Sequence, residues 1–182
     1  MLLRRLPLFF GLLTAMLAFV PAPARAQQAS EDAVKAAFLP KFARYIEWPA
    51  ASKPAEGQPF YLCLIGRDPF GALIDKAAIT EVIDGRPVAV RRFANTDSAA
   101  VAGCHIAFVS GPNHAITLQM LAVLRRQATL TVTDARWGKA RGMIHFAIVD
   151  GRVRFHIDQA SATGRGVVIS SRLLALAVGV AQ

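Results

Sequence analysis

The sequence predicts an α/β fold: a single domain with a largely parallel sheet flanked by helices, and an antiparallel hairpin over residues 143–158. Three observations carry this. Apolar runs at 60–65, 86–93, 104–110 and 128–134 alternate with segments of helical periodicity. The dipeptide Asp150-Gly151 divides two alternating runs, the strongest short-range hairpin signal, because a type I′ turn needs positive φ at both central residues. Finally, 156 residues remain after a leader of 26, enough for one domain with its own core.

Residues 1–26 read as a signal peptide. Arg4 and Arg5 lie in a short basic segment, Leu6 to Val20 is apolar, and Ala24 and Ala26 supply the small residues a signal peptidase requires. The apolar stretch is shorter than the roughly 20 residues of a membrane-crossing helix. The mature chain is therefore expected to begin at Gln27 and to be exported, with the bacterial periplasm as its destination. Residues 27–182 form the single domain.

A first helix is expected after Ser30, its N-cap, with Glu31 and Asp32 in the first turn. Val34, Phe38, Phe42 and Ile46 form its apolar stripe, Pro40 kinks or restarts it, and Trp48-Pro49 ends it. Residues 50–59 are a loop and 60–65 a buried strand. Asp68-Pro69 opens a helix to about Ile79. Strand 86–93 places Val88 and Val90 inward, and 104–110 is the third strand. A helix over 115–126 carries Ile116, Met120, Val123 and Leu124, and strand 128–134 turns Leu130 and Val132 inward. A last helix is expected over about 166–178, with Ile169, Leu173, Leu176 and Val180 on one side.

In the hairpin, a two-residue turn pairs Val149 with Arg152. Ile148 then meets Val153, Phe146 meets Phe155, and Ile144 meets Ile157 on one apolar face. The other face carries Ala147 with Arg154 and His145 with His156. The first face belongs to a core; the second is expected to be exposed and open to a partner.

The mature chain holds 18 basic and 12 acidic residues, a net charge of +6 that favours acidic partners or anionic surfaces. Its Arg and Lys residues are scattered, without the aromatic interleaving of a nucleic-acid binder. Cys63 and Cys104 in an oxidising compartment are what one intramolecular bridge requires; the alternative is two separate buried thiols.

No grouping of residues points to catalysis, a cofactor or a metal. Asp134 and Asp158 lie at strand ends, where caps and turns use aspartate more often than active sites do. His145 and His156 face each other beside Arg152 and Arg154, which repel a cation, and no third ligand is in register. His105 beside Cys104 lacks a free thiol once Cys104 is paired. Ser110 has no nucleophile-elbow motif, and the segment 66–69 lacks a phosphate-loop pattern.

Six ordered stretches resemble the YfiR family of periplasmic regulators. They are Val34–Phe42 with Glu47-Trp48-Pro49; residues 60–66 with Asp68-Pro69-Phe70-Gly71; Gly85-Arg86-Pro87-Val88; residues 104–110; Gly142-Met143-Ile144 through Arg152–Phe155; and residues 169–177. The resemblance spans nearly the whole mature chain. It implies a non-enzymatic protein, often dimeric, that restrains an inner-membrane diguanylate cyclase through its periplasmic sensor portion. Cyclic di-GMP signalling and biofilm formation would then be under its control. It also implies that Cys63 and Cys104 occupy positions used for a stabilising disulfide. Departures from the family pattern are Pro40 for an aromatic residue, Arg141 for a glycine, and His156 and Asp158 for Glu and Asn. The partner surface expected is His145, Arg152, Arg154 and His156 on the hairpin, with Arg165 and Arg172 on the last helix. A second reading is a small-molecule-binding sensor acting on a membrane kinase or cyclase, its ligand near Gly66, Ser110 and Asp134. A third, an exported hydrolase, requires a nucleophile beside a base.

Overall fold

A computed structural model describes residues 23–97 and 99–182. Most of the expected signal peptide, up to residue 22, lies outside the described residues.

Eight strands form one sheet in the order β10-β8-β7-β6-β5-β2-β4-β3. Its centre is parallel: β4 (Arg86–Phe93), β2 (Phe60–Gly66), β5 (Ile106–Ser110), β6 (Leu130–Asp134) and β7 (Ile144–Val149). One edge adds β3 (Val82–Ile83), antiparallel to β4. The other adds β8 (Arg152–Asp158), antiparallel to β7, and then β10 (Gly179–Ala181), parallel to β8. The largely parallel sheet with its hairpin is therefore the fold that the alternation of runs predicts.

Both faces are covered, which is why the central strands read as nearly continuous apolar runs. On one face α1 (Pro23–Phe42) and α2 (Ala72–Ile79) bury Leu39, Phe42, Ile74 and Ala78 against Leu62, Leu64, Phe108, Val132, Phe146 and Phe155. On the other, α3 (His114–Leu124) sets Met120, Leu121 and Leu124 against Cys63, Ile65, Ala107 and Val109. Four phenylalanines fasten α1 to the hairpin: Phe42 meets Phe155 edge-on at 5.4 Å between ring centroids and Phe146 at 5.8 Å, while Phe38 lies 6.0 Å from Phe155. Each such ring stabilises the fold by roughly 2–3 kcal/mol through burial.

The first helix differs from the expectation in both bounds and phase. It starts at Pro23, so Ser30 sits inside it and not at its N-cap, and it runs through Pro40 to Phe42. Ile46 lies beyond it, in β1 (Ile46–Glu47). Val34 is exposed, and the inward stripe is Lys35, Ala36, Leu39, Phe42 and Ala43. Pro40 gives up one backbone hydrogen bond, to the carbonyl of Ala36, in the last turn of the helix. Asp68 likewise does not cap α2 directly; its carboxylate accepts from the backbone of Phe70 and Gly71 in a turn just before the helix.

The expected last helix over 166–178 does not form. Residues Val168–Ile169 are instead β9, pairing antiparallel with β1. A four-residue helix α5 (Ser171–Leu174) follows, capped by Ser170, and the chain then adds β10 to the sheet. The run Val167, Val168 and Ile169 is β-branched and finds an extended partner in Ile46 and Glu47, so tertiary pairing overrides the helical spacing. Between β8 and β9, α4 (Gln159–Thr163) is capped by Asp158.

Cys63 and Cys104 form a disulfide across 41 positions, buried under α3. Closing a loop of that length stabilises the fold by about 4 kcal/mol in the chain-entropy treatment. Replacing both cysteines with alanine is expected to lower the unfolding free energy by about 2–4 kcal/mol in urea titration; an unchanged midpoint would assign the bridge no stabilising role.

Candidate functional surface

The hairpin has the register its turn requires. Asp150 and Gly151 take φ of 51° and 68°, and the pairs run from Val149 with Arg152 to Ile144 with Ile157. Phe146, Phe155, Ile144 and Ile157 are buried, whereas Ile148 near the tip projects past the core and is exposed.

On the polar face, Arg152 and Arg154 are exposed and His156 is half-buried. His145 departs from the expectation: it is buried, and its Nδ1 lies 2.8 Å from Thr133 Oγ1. The reason is tertiary. The segment before β7 is laced onto β6, with Gly142 N–H donating to Thr133 Oγ1 and Met143 N–H to Thr131 Oγ1. Thr131, Thr133 and His145 therefore form a small buried polar layer. Only the distal part of the face, Arg152, Arg154 and one side of His156, is surface. Arg172 is exposed on α5, and Arg165 is half-buried in the turn after α4, so the expected pair does not share a long helix.

The C-terminal ends of the parallel strands, where open α/β sheets take ligands, are closed around the three residues expected to line a site. Ser110 and Asp134 are buried. Gly66, at φ 90°, lies so close to the next strand that a Cβ there would meet Ser110 O at 2.2 Å. That glycine serves close backbone approach, not phosphate binding. Ser110 Oγ has no hydrogen-bond partner, hence no base beside it. Neither the small-molecule site proposed for these strand ends nor a hydrolase nucleophile finds support there.

What fills this end is a charge network that the sequence did not disclose. Lys35, 1% exposed, reaches across from α1 to Asp134 at the end of β6, Nζ to Oδ2 2.7 Å, with Glu31 at 3.9 Å. Asp134 also accepts from the backbone N–H of Arg136, whose guanidinium pairs with Asp32. Asp134 is thus a cap, as expected, and also the counter-ion of a buried lysine. A spacing of 99 residues leaves no local signal for that pairing.

His105, also buried, accepts the Tyr61 N–H at Nδ1 and packs against the Phe60 ring. Burial first, and the nearby Arg91 second, push its pKa down to about 4. Burial does the same to His145, helped by Arg141 and His156 and opposed by Asp134, again to about 4. Both are neutral at physiological pH and neither is poised as a proton carrier.

The molecule is thus an α/β domain with closed strand ends and a projecting basic hairpin. Residues 32–178 match the model of the family described as YfiR/HmsC-like, and the chain belongs to that family. No curated protein matches the chain. Among the described residues no helix is long and apolar enough to cross a membrane.

Two predictions follow from this chemistry. Lys35→Met strands the Asp134 carboxylate in the interior and is expected to cost about 3–5 kcal/mol, with part of the loss recovered in Lys35→Met/Asp134→Asn; equal stability of K35M and wild type in urea would refute it. Histidines unfold to a pKa near 6.5, so below that pH the unfolded chain binds protons that buried His105 and His145 refuse. Stability is therefore expected to fall as pH drops from 6.5 to 4, by on the order of 3 kcal/mol per histidine. Denaturation at pH 7 and 4.5 checks this, with His145→Gln expected to flatten the dependence.

Proposed function

We propose that this protein is an exported, non-enzymatic regulator that restrains an inner-membrane diguanylate cyclase by binding its periplasmic sensor portion. Cyclic di-GMP output and biofilm formation follow from that restraint. Membership of the YfiR/HmsC-like family supports the class of function. The observation that supports the surface is the hairpin: its apolar face is anchored by the Phe38, Phe42, Phe146 and Phe155 cluster, while Arg152 and Arg154 stand in solvent. Among the described residues, neither guanidinium has a hydrogen-bond or ion-pair partner. A rigidly held pair of free guanidiniums recognises carboxylates bidentately, so the sensor portion is expected to present an acidic patch.

His156 flanks this pair, and Arg165 and Arg172 extend the positive potential. His145 supports the strand from beneath. The protein acts as a homodimer in this reading.

The test is the variant Arg152→Glu/Arg154→Glu. It is expected to melt like wild type, since both positions are exposed, yet to bind the sensor portion at least tenfold more weakly and to raise intracellular cyclic di-GMP. Binding and repression like wild type in the folded variant would remove this surface from the function.

A further inference from the structure

A second cationic feature lies on the same side of the sheet as α3, away from the hairpin tip. Arg125 at the end of α3, Arg141 ahead of β7, and Arg165 after α4 line one cavity of about 40 Å³, together with Thr131, Asp158 and Ser161. Three arginines from separate elements line it, Arg125 and Arg141 exposed and Arg165 half-buried. Among the described residues none of the three has a hydrogen-bond or ion-pair partner. The one carboxylate in the wall, Asp158, is engaged by Ser161, accepting from its backbone N–H at 2.8 Å and its hydroxyl at 2.7 Å.

Like charges gathered at one place raise the free energy of the fold unless an anion cancels them, most where one of them, here Arg165, is half-buried. The strain is visible at Arg165, which burial first and the Arg125 guanidinium second hold below the ordinary guanidinium range, against the pull of Asp158. A helix C-terminus favours a cation and so accounts for Arg125, and for Arg165 beyond the end of α4. It does not account for Arg141.

We infer that this cavity is a binding site for a phosphoryl oxyanion. Three arginines less one aspartate leave two positive charges, which a phosphate dianion cancels. The volume gives room for roughly three water-sized groups, the size of a phosphoryl group's terminal oxygens and too small for a folded peptide segment. Guanidinium forks match phosphate oxygens bidentately. A wider cleft of about 310 Å³ shares Arg141, Gly142 and Asp158 with the cavity, giving an approach for whatever carries the phosphoryl group. The cavity shares Arg165 with the proposed partner surface but not Arg125 or Arg141, so Arg141→Gln tests the site separately from that surface.

The probe is inorganic phosphate, added to the mature chain with ionic strength held constant by chloride. Titration calorimetry is expected to show saturable one-site binding, weakened about tenfold or more in Arg141→Gln and in Arg165→Gln. In phosphate-free buffer both variants are expected to melt no lower than wild type, since each removes repulsion. Arginines kept for structure would instead melt lower, and that result overturns the site. Vesicles of phosphatidic acid in phosphatidylcholine distinguish the sources. Co-sedimentation lost in the double variant supports a lipid headgroup, and phosphate binding without co-sedimentation supports a soluble phosphate. Absence of both, phosphate binding unchanged in the variants, or tighter binding of an acidic peptide than of phosphate overturns the proposal.

Discussion

The register of the hairpin closed by Asp150 and Gly151 governs the C-terminal third of the molecule. A strand alternates its side chains, so a slip of one residue would send Phe146 and Phe155 to solvent and Arg154 to the core. The turn's two positive-φ residues exclude that slip. With the register fixed, the aromatic face can receive α1, and β8 is placed to accept β10 along its free edge. The projecting tip, with Ile148 exposed and two guanidiniums beside it, is the consequence of strands that outrun the helix covering them.

The C-terminal ends of the parallel strands, toward which β7 also runs to its turn, are held by polar means. Lys35 stands where the amphipathic pattern of α1 calls for an apolar side chain, and Asp134 stands at a strand end that in related architectures opens to a ligand. Each resolves the other's burial. A paired, buried charge of this kind adds little net stability compared with an apolar substitute, but it orients the helix on the sheet because a displaced lysine would have no counter-ion. The same pair occupies the space where a ligand would enter, so one contact both docks the helix and closes the site. Gly66 and Ser110 complete the closure through backbone approach.

With the strand ends closed and His105 and His145 buried, most of the positive charge of this protein lies at its surface. Positive charge there is of two kinds. Arg92, for example, is spent on Asp68 and Asp75 within the fold. Among the described residues, the guanidiniums of the hairpin and of the Arg125, Arg141 and Arg165 cavity have no hydrogen-bond or ion-pair partner. The two proposals give them two anionic contacts, one with an acidic protein surface and one with a phosphoryl group.

Local rules were enough for much of this. The alternation of runs determined a largely parallel sheet, Asp150-Gly151 determined the hairpin pairing residue by residue, and two cysteines in a chain expected to be exported were consistent with the bridge that forms. Such features depend on neighbours in sequence, on turn geometry or on side-chain period. Tertiary structure alone decided the rest. Residues 167–169 became a strand because Ile46 and Glu47 lay alongside, despite helical spacing from 166 to 178. His145 was buried because the segment before β7 folds back onto Thr131 and Thr133. Lys35 found Asp134, and three arginines met at one cavity, through contacts between distant segments, and no local periodicity records which distant charges will meet.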